Sequence, residues 1–213
     1  MCDLGYTLKY RGEQEVAVML EEYPKTVSLK DGSTVVCRPM VREDEGPLLE
    51  FFISLSKVDR LYLRDDVTNP EVVRSWAENL DYDRVLPILA LSEDRIVANA
   101  TLHRNPFGWM RHVGAIRMVV GEDFRERGLA RTMAAEVFQN AIAAKLDKIV
   151  AEMLTDQHDA RKVFSRLGFR EEAILKDHVQ DADNVPHDLL IMTNDVNTLW
   201  QKWMEFSVKS KQS

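Results

Sequence analysis

No stretch of this 213-residue sequence is apolar for long enough to cross a bilayer, which takes roughly 20 consecutive apolar residues as a helix; no membrane partner is expected. The opening, Met1-Cys-Asp-Leu-Gly-Tyr6, lacks the basic region and apolar core of a secretory signal, so none is expected. Cysteine is scarce. Cys2 and Cys37 form no C-x-x-C or other metal pattern, and a reducing, cytoplasmic compartment is their simplest home. The five histidines, His103, His112, His158, His178 and His187, show neither HxxxH nor HExxH spacing, so no metal is expected. A serine-hydrolase nucleophile elbow is absent, which disfavours a hydrolase. An excess of positive charge is missing too: 28 Lys and Arg stand against 35 Asp and Glu, a net charge of −7. That argues against nucleic acid as a partner and suits a cationic one, such as a lysine side chain or a small amine.

What is present is a globular balance, 45% apolar and 30% charged, of a length that suits one domain or a domain with extensions. The organising stretch runs from His112 to Phe169. An apolar strand, Val113-Gly-Ala-Ile-Arg-Met-Val-Val120, leads into a polar loop, Gly121-Glu-Asp-Phe-Arg-Glu-Arg-Gly128. The next segment has apolar residues at Ala130, Met133, Ala134, Val137, Phe138, Ala141 and Ile142. Spacings of three and four predict an amphipathic helix. A strand, a basic loop and a helix N-terminus in that order present backbone N–H groups and a positive dipole end, which suit a phosphate. The loop has no Gly-Lys-Ser/Thr, and its two glycines, Gly121 and Gly128, fall short of the dinucleotide fingerprint.

Arg125-Glu-Arg-Gly128-Leu-Ala130 does match the pattern R/Q-x-x-G-x-G/A. Here the sequence resembles the GNAT superfamily of N-acetyltransferases. A second apolar strand, Lys148-Ile-Val-Ala-Glu-Met-Leu154, and a helix ending Phe164-Ser-Arg-Leu-Gly-Phe169 follow in that superfamily's order. Asp31-Gly-Ser33, Arg38-Pro-Met40, Glu43-Asp44, Phe51-Phe52 and Leu55-Ser56 are similar to the opening of bacterial protein-lysine acetyltransferase domains. The resemblance implies an α/β (mixed α+β) fold, the GNAT fold. Its central mixed, mostly antiparallel sheet is splayed between the fourth and fifth strands and flanked by helices. The domain is expected over residues 30–194, after an N-terminal extension, 1–29, and before a C-terminal helix and tail, 195–213.

Local patterns fill in the elements. Asp31-Gly32 predicts a hairpin between 27–29 and 34–38. Pro47 in a first turn and Asn69-Pro70 predict two helix starts, with Val72, Val73, Trp76 and Leu80 as the second helix's buried stripe. Residues 85–91 and 95–102 predict a hairpin, and 170–179 and 189–193 two further strands. Asp195 is read as opening a helix with Val196, Leu199, Trp200, Trp203 and Met204 on one face. That face either docks on the sheet or makes a homodimer contact.

Candidate site residues follow. The backbone of Arg125, Glu126, Arg127, Gly128, Leu129 and Ala130 is the expected pyrophosphate site, with Gly128 allowing close approach. Arg125, Arg127 and Arg131 either add charge for the phosphates or are solvated surface. Glu126 stands where many members of the superfamily carry a second glycine, so its carboxylate must point away. The resemblance implies acetyl-CoA as co-substrate, its pantetheine arm along the backbone of Met118, Val119 and Val120, and the Val119 N–H polarising the thioester. Acetyl transfer needs a neutral amine, and a lysine starts near pKa 10.4. Glu152, within the apolar second strand, is the candidate base; the other reading is an ion pair with Arg117. Most members place an asparagine and a tyrosine where this sequence has Gln157 and Phe164. Gln157 is left to bond the cofactor, and Phe164 to pack at its sulfur end without donating a proton. His178 and His187 either approach the acceptor cleft or are surface residues.

The activity expected is acetyl-CoA-dependent transfer to a primary amine, a protein lysine or small amine, by direct attack in a ternary complex. The missing tyrosine leaves a non-catalytic acyl-CoA-binding regulatory module as the alternative.

Overall fold

The alternation of short apolar runs with turn residues gives an eight-stranded mixed sheet in the order β1-β2-β3-β4-β5-β6-β8-β7. The computed structural model describes residues 20–61, 63–181 and 184–196. Its strands are β1 (Lys25–Ser28), β2 (Thr34–Pro39), β3 (Val85–Ser92), β4 (Arg95–Arg104), β5 (Val113–Val120), β6 (Lys148–Leu154), β7 (Arg170–Gln180) and β8 (Pro186–Asp195). The helices are α1 (Glu45–Ser54), α2 (Lys57–Leu61), α3 (Pro70–Glu78), α4 (Leu129–Ala143) and α5 (His158–Arg166).

Local chemistry explains the boundaries. The β1–β2 turn closes because Asp31 accepts from the Ser33 amide and hydroxyl, while Gly32 takes a φ of 85° that favours glycine. Asn69 caps α3 by accepting from the Glu71 amide at 3.0 Å, with Pro70 at the first helical position. The α3 stripe buries Val73 and Ala77 and partly buries Trp76 and Leu80. Ala77 joins the predicted set because it lies four residues after Val73 on the same face. β8 continues through Asp195, two residues beyond the predicted strand. Leu199, Trp200, Trp203 and Met204 of the predicted C-terminal helix lie outside the described residues, as does most of the N-terminal extension. The predicted hairpin across Asp31-Gly32 is present: Lys25–Ser28 pairs with β2 as an edge strand, within the segment counted as the 1–29 extension.

Each face of the sheet buries its own apolar cluster. One face meets α1 and α3 through Leu48, Phe51, Phe52, Val73, Leu89 and Ile96. The other meets α4 and α5 through Leu102, Ile116, Met133, Val137, Ile149, Ala151 and Phe164. The sheet is antiparallel except at β5–β6, where the intervening α4 permits parallel pairing. That pairing runs only from Val113↔Lys148 to Ile116↔Ala151. Beyond it the strands part, while β5 stays paired to β4 as far as Val120 and β6 to β8 as far as Leu154. Counted without the short edge strand β1, these are the fourth and fifth strands, where the splay was expected.

Gly114 sits in the paired half of β5. A Cβ there would lie 2.7 Å from Leu146 Cδ1, 3.1 Å from Leu102 Cδ1 and 3.3 Å from the His103 carbonyl oxygen. Gly114→Ala is therefore expected to lower stability by about 1–3 kcal/mol through overpacking. Urea unfolding checks this; an unchanged midpoint would show that Leu146 moves aside freely.

Candidate functional site

The backbone at the splay is decided by register. The Gly121 amide donates to the Val97 carbonyl at 2.9 Å. Antiparallel ladders alternate hydrogen-bonded and non-bonded pairs, so with Val119 opposite Asn99 the Val119 N–H and C=O turn to β4. The backbone groups of Met118 and Val120 turn to the open side. Val120 confirms the sense, since its carbonyl accepts from Arg125 Nε at 3.3 Å. This corrects the expectation for the Val119 amide: the inward-facing N–H belongs to Met118. Side chains alternate likewise, so Met118 packs with the α4 cluster and Val119 with the α1–α3 cluster.

The loop at the end of β5 makes one 3-10 turn, Glu122–Phe124, anchored by the buried Phe124, and feeds α4. The first intrahelical bonds run from the Arg131 and Thr132 amides to the Gly128 carbonyl. The Leu129 and Ala130 amides precede them at the positive end of the helix, whose first turn has no acidic residue. Gly128 has a φ of 88°, the left-handed region that side chains resist. The position its Cβ would take lies 3.2–3.4 Å from the Cγ, Cδ and Cε of Lys30. Glycine is favoured here by backbone conformation, and a side chain would also crowd Lys30. Glu126 also has positive φ, 61°, which explains why glycine suits that position, and it is exposed.

The basic residues of the loop are held by carboxylates of the chain itself. Arg125 pairs with Asp59 of α2 at 2.7 Å. Arg127 pairs with Asp31 at 3.1 Å and lies over the Phe124 ring. Arg131 is exposed on the first turn of α4. Lys30, which the sequence did not single out, is brought to the loop by the β1–β2 hairpin, and its amide donates to the Arg127 carbonyl at 3.0 Å.

On the face towards α1–α3, Glu152 projects from β6 at the first position past the end of parallel pairing. Only one face of its strand is fully buried, through Ile149, Ala151 and Met153; Glu152 lies on the other, between the half-buried Val150 and Leu154. The carboxylate is 30% exposed, so the argument from burial does not apply to it. Its ion-pair partner is Arg64, from the segment between α2 and α3, and not Arg117. Arg117, on the same face of β5, pairs instead with Asp65 at 3.9 Å. His103 on β4 completes the group. Burial, and then the charges of Arg117 and Arg64, push its pKa down to about 4. Arg117 is itself lowered by burial and by Arg64.

Gln157 turns back on its own strand, its Oε1 accepting from the Leu154 amide at 2.8 Å. It thereby terminates β6 at the splay. The Phe164 ring is buried edge-on to Phe169, centroids 4.9 Å apart. His187 bonds Asp181 at 3.0 Å in the β7–β8 hairpin. Among the described residues no cluster of His, Cys, Asp and Glu could hold a metal ion, and no helix is long and apolar enough to cross a membrane.

This arrangement is matched in known proteins. Residues 51–169 match the family described as Acetyltransferase (GNAT) family. No curated protein matches the chain in sequence. Among solved structures, the GNAT domain of S. lividans PAT superposes with a TM-score of 0.68 at 18% identity, over 80% of this chain and 96% of that one. Mycobacterium smegmatis RimJ in complex with CoA-disulfide gives 0.66 at 21%, over 83% and 90%. A ribosomal-protein-alanine N-acetyltransferase from Brucella melitensis gives 0.65 at 23%, over 75% and 98%. These structures share the fold. The family match spans more than half of the sequence, and the chain belongs to the GNAT acetyltransferase family: it is an N-acetyltransferase, of a family that uses acetyl-CoA as co-substrate.

Proposed function

We propose that the chain moves the acetyl group of acetyl-CoA to a primary amine by direct attack in a ternary complex, with Glu152 receiving the amine's proton. The observation that carries this is the position of Glu152, on the strand facing the open backbone of Met118 and next to the point where β5 and β6 part. The pantetheine arm lies along Met118–Val120, and the Met118 N–H bonds the thioester oxygen. The pyrophosphate rests on the backbone of residues 125–130, with Arg125, Arg127, Arg131 and Lys30 supplying charge. The ammonium gives one proton to Glu152, directly or through water. The neutral nitrogen attacks the carbonyl carbon, the C–N bond forms and the C–S bond breaks. The thiolate departs and takes the second nitrogen proton, giving CoA. Phe164 has no proton to donate, and a thiol's low pKa makes a donor dispensable. A buried free thiol at Cys37 fits a reducing, cytoplasmic setting.

Glu152→Gln is expected to lower kcat about a hundredfold, with acetyl-CoA affinity nearly unchanged and activity partly recovered at high pH. A variant within a few-fold of wild type would move the base role to His103.

For the phosphate site, Gly128→Glu should weaken CoA binding by about a hundredfold or more, and Lys30→Ala by about three- to tenfold, more so at low salt. Calorimetry on folded variants measures both. Wild-type affinity in Gly128→Glu would refute this placement.

His103 carries a sign that can be worked out. Its folded pKa, about 4, lies below its ordinary value of 6.5. The unfolded chain therefore takes up the proton first, so the stability tied to neutral His103 is complete above pH 6.5 and drains away as pH falls towards 4. His103→Gln should flatten the dependence of Tm on pH across that window. Parallel wild-type and variant curves would show that the imidazole is not held neutral by the fold.

A further inference from the structure

The group facing the open end of the sheet is more than a base. Glu152 is bound to Arg64, and Arg117 stands on the neighbouring strand with a distant partner, Asp65 at 3.9 Å. Arg64 and Arg117 are close enough to oppose each other's charge, and both bear on His103. An ammonium ion arriving at Glu152 competes with Arg64 for the same carboxylate. A lone ammonium, such as a lysine side chain, would displace Arg64 and leave that guanidinium without its carboxylate beside a second one. Once Glu152 has taken the proton, two arginines would face one carboxylate, Asp65. An acceptor that brings its own anion removes this conflict: its ammonium replaces Arg64 at Glu152, and its anion replaces Glu152 at Arg64. The charge balance of the site is then the same before and after exchange. Guanidinium groups favour a planar carboxylate, which they grip through two parallel hydrogen bonds.

Resting on the acetyltransferase reading above, we propose that the acceptor is an amine with a carboxylate a few bonds away, the carboxylate being received by Arg64 and Arg117 while the amine is delivered to Glu152. Two sources share this chemistry: a free amino acid, and a peptide whose amino-terminal residue is Asp or Glu. In either case the substrate's carboxylate frees the base from its ion pair. Amines without an anion must compete with Arg64 for the base.

The test uses the full chain with acetyl-CoA and measures CoA release. The acceptors are the common amino acids, their carboxamides, C-terminally amidated peptides beginning with Asp or Glu or with Asn or Gln, and Nα-acetyl-lysine amide. The expected result is a kcat/KM for a carboxylate-bearing acceptor about tenfold or more above that of its neutral counterpart. In Arg64→Gln and Arg117→Gln that ratio should fall towards one. The amino-acid and peptide arms tell the two sources apart. The inference is overturned if acid and amide are equal in the wild type, if Nα-acetyl-lysine amide is the best acceptor, or if both variants keep the full ratio. Binding of acetyl-CoA without CoA release on any amine would overturn the acetyltransferase mechanism itself, and this inference with it.

Discussion

The parting of β5 from β6 is the constraint on which the rest depends. Two adjacent strands share four paired positions, from Val113↔Lys148 to Ile116↔Ala151, and then separate. Backbone groups away from water need partners. β5 keeps β4, and β6 keeps β8, so each strand holds its extended form on one side. On the open side Gln157 and Arg125 reach back to the Leu154 amide and the Val120 carbonyl. What stays open is a short length of β5 edge around Met118. An extended ligand arm with amide groups can complete this edge as a strand would.

Around this opening the charged side chains are already paired within the chain. Arg125 holds Asp59, Arg127 holds Asp31 and Arg64 holds Glu152. Each pair is partly exposed, where ion pairs contribute little to stability. Such pairs exchange partners readily, and anionic groups of a ligand can replace the chain's own carboxylates, which then turn to water. Asp59, Asp31 and Arg64 come from three segments that precede the sheet's centre in sequence. The cleft is thus assembled from the hairpin turn, α2 and the loop after it, against a floor of β4, β5 and β6.

The two apolar clusters divide the labour. Met133, Val137 and Ile149 anchor α4 under β5 and so fix where its N-terminus points. Phe51, Phe52 and Val73 hold α1 and α3 on the opposite face, and the segment bearing Arg64 and Asp65 runs between α2 and α3. The position of a charged loop residue over Glu152 is therefore a consequence of packing elsewhere.

The sequence by itself determined the elements and their order. Period-two and period-four apolar patterns, Asp31-Gly32, Asn69-Pro70 and the loop ending in Gly128 are local signals, and local backbone and solvation preferences suffice to read them. The loop–helix motif also pointed to the family, because its residues stand at close spacing along the chain. Only the tertiary structure decided which amide faces the opening, since a shift of one residue in register exchanges Val119 for Met118. It also decided that Glu152 meets Arg64 rather than Arg117, and that Lys30 lies against Gly128. The last two are contacts between residues far apart in the sequence, made by the packing of helices and hairpins on a common sheet. No periodicity or short motif encodes them, because their partners are chosen by distance in space and not by distance along the chain.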